Sequence, residues 1–314
     1  MLLKIKEGLL GIALGDALGV PVENQTREQL KENPVKNMMS LEKHNNKPGI
    51  WSDDTSMTLC LAESLCYGFD TENMGKLFLK WLREAYWTPY GKSFDIGDIT
   101  LKSLERIEKG VKAEEAGGKS QRDNGNGALM RILPISFYIK GNNIKHPSRF
   151  EIIHKVSSIT HAHPISLISC SIYIEIALNI LEGFDLEISI KNTEKSIFNY
   201  YKNKIGFKGE LYKFKRIFSD DFKYLKEEEI KSNSYVINTL EASIWCILNT
   251  NSFKESLLKG VNLGGDTDTT AAVIGGIAGI YYGMDSMPYE WVNKIVRLND
   301  IEKLAEKLNK ALCN

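Results

Sequence analysis

The chain has 314 residues, 43% hydrophobic, 10% aromatic and 25% charged, which are ordinary globular values. A chain of this length buries about three quarters of its unfolded surface and needs no disulfide or metal staple to fold. Lys+Arg and Asp+Glu both number 40, which argues against a nucleic-acid partner, and five scattered cysteines without a CxxC spacing read as reduced thiols of a cytoplasmic protein.

In chain order, MLLKIKEGLLGIALGD reads as a helix, because lysines, a glutamate and Asp16 interrupt what would otherwise resemble a secretory signal. Residues 24–50 are polar, hold Pro34 and Pro48, and predict no long helix. Apolar residues three or four apart predict helices over 54–67, 74–87, 96–109, 127–139 and 148–159. The same spacing continues through Ile165, Ile168, Ile172, Ile176 and Ile180, predicting a helix over 164–182 that Pro164 opens and Gly183 ends. Residues 201–233 are charged and aromatic and read as a surface excursion between core helices. Helices are then expected at 234–249, 252–260, 268–282, 288–297 and 300–312. Strict alternation is scarce, so the fold class is all-α: a compact orthogonal helix bundle forming one domain over 1–314. The longest uncharged stretches, 156–174 and 269–284, are respectively too polar and too short to span a bilayer, so no membrane association is expected.

Gly11, Gly15 and Gly19 lie four apart, as do Gly275, Gly279 and Gly283. That spacing puts each set on one helix face. Each glycine lowers helix propensity by about 1 kcal/mol, and close approach of the two helices would offset it. Asp16, on the first glycine face, is expected to be structural and to bond a neighbouring helix start.

Two helix starts are crowded with oxygen: Trp51-Ser52-Asp53-Asp54-Thr55 and Gly264-Gly265-Asp266-Thr267-Asp268-Thr269. Either alone is what N-capping would give, although one cap residue suffices for that. Together, Ser52, Asp53, Asp54, Asp266, Asp268 and Thr269 form an all-oxygen donor set suited to Mg²⁺ or Mn²⁺. Zinc would want His or Cys, which neither segment has. Four unneutralised carboxylates would raise each other's pKa, and a pair of bound dications relieves that repulsion.

The segments GLLGIALGDALGVPVE, WSDDTSMTL, GNGALMRILPI, THAHP and NLGGDTDTTAAVIGGIAG resemble the ADP-ribosylglycohydrolase family, in that family's order and over nearly the whole chain. The resemblance implies an all-α bundle with a binuclear Mg²⁺ or Mn²⁺ centre, and a hydrolase that removes ADP-ribose from a modified side chain. Ser52 stands where the family commonly has Thr and keeps the hydroxyl; Asp53, Asp54, Asp266, Asp268 and Thr269 match the two metal boxes. Glu23 matches an acidic residue beside the metal centre. Asp95 matches an aspartate near the acceptor side chain in arginine-specific members, with Asp98 close by in sequence. Glu23 and Asp95 are therefore the catalytic candidates.

Gly125-Asn126-Gly127, by itself a turn signal, resembles the ADP-ribose-binding loop; glycine lets backbone approach a phosphate closely. The resemblance puts His161 against the ligand's ribose. An i,i+2 pair of His161 and His163 on one metal is the other reading of those residues. Arg131 is expected to be a helix surface charge. The substrate implied is an ADP-ribosylated protein, with arginine favoured because a carboxylate at Asp95 can pair with a guanidinium. ADP-ribosylserine, another ADP-ribose-linked substrate, another N-glycoside, and a non-catalytic binder of ADP-ribose or of an ADP-ribosylating toxin are the alternatives. Reversal of a regulatory modification and immunity to such a toxin are both open roles.

Overall fold

The computed structural model describes residues 1–40 and 47–313. Among the described residues there are fifteen α-helices and no strands, only isolated bridges. Two helices form the axis. Helix α1 (Leu2–Gly19) and helix α13 (Thr267–Tyr282) are buried almost all round and make the most extensive helix–helix contact in the protein. A helix apolar on every side belongs at the centre of a larger core.

The glycine stripes explain how the two helices meet. A Cβ placed on Gly11 would lie 2.1 Å from the Gly275 carbonyl oxygen, and one on Gly15 would lie 1.9 Å from that of Ala271. One on Gly19 would lie 2.4 Å from the backbone nitrogen of Asp268. Only glycine at these positions lets backbone rest on backbone. Gly283 has a different task from the one its spacing suggests: with φ +83° it ends α13.

Around the axis, amphipathic helices turn one face inward. Helix α4 (Thr71–Glu84) buries Met74, Gly75, Phe78 and Trp81, and helix α15 (Leu298–Leu312) buries Ile301, Leu304, Ala305 and Leu308. Helix α8 (Pro164–Leu181) is long and apolar enough to cross a membrane by length and composition, with a mean hydropathy of 1.7. Yet 83% of it is buried inside the protein, which is the pattern of a core helix.

Three sequence expectations need correction. The helix foreseen over 127–139 starts only at Pro134, as α6 (Pro134–Gly141), and 127–133 are turns. Proline has no amide to donate and suits the first turn, so the chain enters the helix there. Helix α9 (Leu186–Tyr201) lies where no element was expected; Asp185 caps it at the Ile188 amide (2.8 Å), and Leu186, Ile190, Thr193, Ile197 and Tyr201 face inward. The segment 288–297 yields only one helical turn, α14 (Tyr289–Val292), because Arg297 takes a left-handed conformation that breaks the path before α15.

The segment 201–233 is more than a surface excursion. It winds through α10 (Lys208–Leu211) and several 3₁₀ turns, and it buries Leu211, Phe214, Ile217, Phe222 and Ile230. Its charged residues cover those aromatic and aliphatic anchors. Its end leads to the functional cleft.

Candidate active site

The start of helix α3 (Asp53–Leu65) is not capped only by its own residues. Asp16, from α1, accepts from the Ser52 amide (2.9 and 3.0 Å), the Thr55 amide (3.0 Å) and the Thr55 hydroxyl (2.6 Å). Asp16 thus satisfies the orphan donors that every helix N-terminus presents. That frees Asp53 and Asp54 from capping. The Ser52 hydroxyl donates to Asp54 Oδ2 (3.1 Å), and the Thr269 hydroxyl approaches the same oxygen (3.4 Å). Among the described residues Asp54 Oδ1 is buried without any hydrogen-bond partner. Such an atom is costly unless something positive meets it.

The start of α13 is built by long-range contacts. Gly264 and Gly265, both at φ +75°, turn the chain so that Gly265 exchanges backbone hydrogen bonds with Asn24 (2.9 Å) and Gln25 (2.8 Å). The Asp266 amide donates to the Ser232 carbonyl (2.8 Å), and the Thr267 hydroxyl donates to the Gly19 carbonyl (2.9 Å). The last contact clamps the C-terminus of α1 to the first turn of α13. Glu23, one short 3₁₀ turn beyond α1, therefore arrives beside Asp268.

The carboxylates fall into two groups that share a member. Asp16, Asp54 and Asp268 offer oxygens within 4.8 Å of one another, and so do Glu23, Asp95 and Asp268. Asp53, Asp266 and Thr269 line the same floor. Burial drives Asp53, Asp54 and Asp268 well above the usual carboxylate range, and their neighbours' negative charge adds to it. Burial also raises Asp266, against the hydrogen bond from Asn126. Asp16 is pushed up to about 6, again by burial. Glu23 reaches about 7, by burial first and then by the charges of Asp95 and Asp266. A cluster of oxygens that resists ionisation is what hard divalent cations satisfy, so the donors present fit such ions.

Above this floor opens a cleft of about 720 Å³. Gly125, Asn126 and Gly127 form one wall. The Asn126 amide donates to the Ser234 carbonyl (3.1 Å), and its side chain donates to Thr239 Oγ1 and Asp266 Oδ2 (both 2.9 Å). Asn126 therefore joins the glycine loop to the acidic floor. Asn233, Ser234 and Tyr235, bridged to Gly125 through Tyr235, extend the same wall.

A model of the family described as ADP-ribosylglycohydrolase matches residues 2–314. This chain belongs to the ADP-ribosylglycohydrolase family. It is 34% identical over 307 residues to ADP-ribosylarginine hydrolase Tri1 of Serratia proteamaculans (strain 568), covering 97% of this chain and 78% of that protein. It is 28% identical over 292 residues to the ADP-ribosyl-[dinitrogen reductase] glycohydrolase of Rhodospirillum rubrum, covering 91% and 88%. A solved structure titled ADP-ribosylglycohydrolase-related protein complex superposes with a TM-score of 0.80 at 29% identity, over 99% of this chain and 98% of that one.

Within this ADP-ribosylglycohydrolase the sequence-derived candidates converge on one cleft. Glu23, Asp53, Asp95, Gly125, Asn126, Gly127, His161, Asp266, Asp268 and Thr269 line it, while Ser52 and Asp54 lie beneath. Asp95, rather than Asp98, joins Glu23. Its backbone takes φ +65°, a left-handed conformation that aspartate tolerates better than most residues. His163 does not share a site with His161: its Nδ1 caps α8 by accepting from the Ile165 amide (3.2 Å).

Arg131 is a correction. It is fully buried, not a surface charge, because the turn 127–133 directs it inward. There it donates to the Gly127 carbonyl (2.6 Å) and Thr160 Oγ1 (2.7 Å) and stacks over Phe78, 4.7 Å from the ring centroid. Sequence reasoning also missed Arg122, the one Lys or Arg among the described residues lining the cleft, and the 233–235 wall. The polar run Ser-Asn-Ser-Tyr before a helix was the available signal for that wall.

Proposed function

We propose that this chain hydrolyses the N-glycosidic bond between ADP-ribose and an arginine side chain of a modified protein, with two Mg²⁺ or Mn²⁺ ions held by Ser52, Asp53, Asp54, Asp266, Asp268 and Thr269. The observation that carries the reading is Asp268, shared by two carboxylate groups at the floor of one cleft, with Glu23 and Asp95 forming the outer group. The orphaned Asp54 Oδ1 supports a cation beneath that floor. The Tri1 relative, named an ADP-ribosylarginine hydrolase, supports the choice of acceptor.

When bound, the ions would supply Lewis acidity toward the hydroxyl oxygens of the distal ribose. The chain's own residues do the rest. Asn126 fixes the glycine loop on which the diphosphate would lie. Glu23, half-buried beside Asp268 and Asp95, is placed to move a proton: it would take one from the attacking water or give one to the departing nitrogen. Asp95 stands beside it at the exposed edge, where a guanidinium would leave. Five free cysteines support a reducing compartment, the cytoplasm, as the place of action. There the reaction would undo a regulatory modification or the work of an ADP-ribosylating toxin.

The test is release of ADP-ribose from an ADP-ribosylated arginine peptide, with Mg²⁺, with Mn²⁺ and with EDTA. Release in either metal and none in EDTA is expected. No release in any condition, or faster release from a serine-linked peptide, overturns the assignment.

A further inference from the structure

We infer that Thr160 and Arg131 are positioning residues that hold the His161 imidazole in its Nε2–H form, so that His161 presents a hydrogen-bond donor to an oxygen of ADP-ribose. The inference rests on reading the cleft as an ADP-ribose site.

Arg131 Nη2 lies 2.7 Å from Thr160 Oγ1, and a guanidinium N–H can only donate, so the hydroxyl oxygen accepts. The Thr160 hydroxyl has one proton of its own. Thr160 is fully buried, and His161 Nδ1, at 2.8 Å, is the one acceptor in reach of that hydroxyl among the described residues. If Nδ1 carried a proton instead, the hydroxyl would accept twice and its own buried proton would have no acceptor. An unsatisfied buried donor of that kind is disfavoured by about 1–3 kcal/mol. Double protonation is worse, because burial and the Arg131 charge both disfavour an imidazolium; Asp123, the acidic group facing the ring, offsets them only in part. Nδ1 therefore accepts, and Nε2 carries the hydrogen.

The other edge of the ring borders the cleft, although His161 as a whole is only 2% exposed. A Cβ on Gly125 would lie 3.4 Å from His161 Nε2, and one on Gly127 would lie 2.9 Å from Cε1. The two glycines thus clear the space through which Nε2–H reaches a ligand. Arg131 also holds the Gly127 carbonyl (2.6 Å), so one guanidinium sets both the loop and the tautomer. A neutral donor suits an oxygen-rich ligand and does not add a cation beside the acidic floor.

The experiment is ¹⁵N NMR of histidine-labelled full-length protein, with the His161 signal assigned by its loss in His161→Gln, combined with calorimetric titration of ADP-ribose. The wild-type protein is expected to show an unprotonated Nδ1 and a protonated Nε2 for His161. Thr160→Val should mix the tautomers and weaken ADP-ribose binding about tenfold, while Thr160→Ser should restore both. A merely structural Thr160 would not move the tautomer signature. A protonated Nδ1 in the wild type overturns the inference without need of any variant, as does a Thr160→Val protein with unchanged tautomer and affinity. If ADP-ribose fails to bind the wild type, the ligand reading falls, and the tautomer signal still decides the role of Thr160 and Arg131.

Discussion

Replacing Gly15 by alanine tests the frame on which the site depends. The added Cβ would sit 1.9 Å from the Ala271 carbonyl oxygen, 2.4 Å from its carbonyl carbon and 2.8 Å from the Ala272 nitrogen. All three are backbone atoms, so no side chain can rotate aside. Helices α1 and α13 must separate by roughly 1 Å or more to reach ordinary contact. Overpacking of this kind costs about 1–3 kcal/mol, and the upper end applies here because both surfaces are backbone. The alanine returns about 1 kcal/mol of helix propensity. The net loss of roughly 2 kcal/mol lowers Tm by about 3 °C at this chain length. Separation also carries Glu23, just beyond α1, away from Asp268 on α13. A displacement near 1 Å at the chemistry can cost about a hundredfold in kcat/KM. Thermal unfolding and turnover of an ADP-ribosylarginine peptide measure both effects. Gly209→Ala is the control, since a Cβ there meets nothing within 4 Å, and it should leave both unchanged. Wild-type Tm and kcat/KM in Gly15→Ala would refute the account of the glycine crossing.

In EDTA the protein should become more stable as pH falls from about 8 to 5. Asp16 and Glu23 titrate near 6 and 7 when folded against ordinary values of 3.8 and 4.5, so their contribution is fully present below the unfolded pKa and lost as pH rises through the folded ones. With Mg²⁺ the trend should reverse, because protons then compete with the ion for the same oxygens; melting curves that are flat with pH in EDTA would contradict this. Glu23→Gln should slow arginine- and serine-linked substrates alike, whereas Asp95→Asn should slow the arginine-linked one by a further ten- to hundredfold, about 1.5–3 kcal/mol for a lost charge-assisted bond. Equal losses for Asp95→Asn on the two linkages would remove Asp95 from acceptor recognition.

What the sequence revealed was what local spacing encodes. The helical period marked most core helices, and the two glycine stripes predicted the crossing that brings Glu23 to Asp268. The paired acidic starts were visible because each is contiguous. The role of Asp16 was half visible: its bond to another helix start could be guessed, but its place in an oxygen cluster with Asp54 and Asp268 could not. Arg131 was misplaced because a charged residue at helical spacing says nothing about a turn that directs it inward. Helix α9 went unseen because its apolar face is narrow, with lysines, asparagines and glutamates between the inward positions. The cleft wall at 233–235 depends on Ser232 and Ser234 meeting Asp266 and Asn126 across the chain, and no local pattern encodes such a meeting.

The placement of the acids on rigid helices follows from their mutual repulsion. Asp16, Asp53, Asp54, Asp266 and Asp268 are all buried or nearly so, and burial disfavours each as an anion; for all but Asp16 the charges of neighbouring carboxylates add to it. A flexible loop would relax that repulsion by moving the carboxylates into water. Here they cannot move. Asp268 is on the first turn of a helix whose backbone rests on α1, and Asp54 is on the first turn of a helix whose amides are tied to Asp16. The fold therefore holds the oxygens in place before any cation arrives. A cation bound there would meet a preorganised, poorly solvated donor set, and the free energy withheld from the metal-free protein would appear as affinity. The same geometry explains why Asp16 serves two ends at once. One carboxylate oxygen caps α3 through the Thr55 amide and hydroxyl, and the group stays within reach of the inner donor cluster with Asp54 and Asp268.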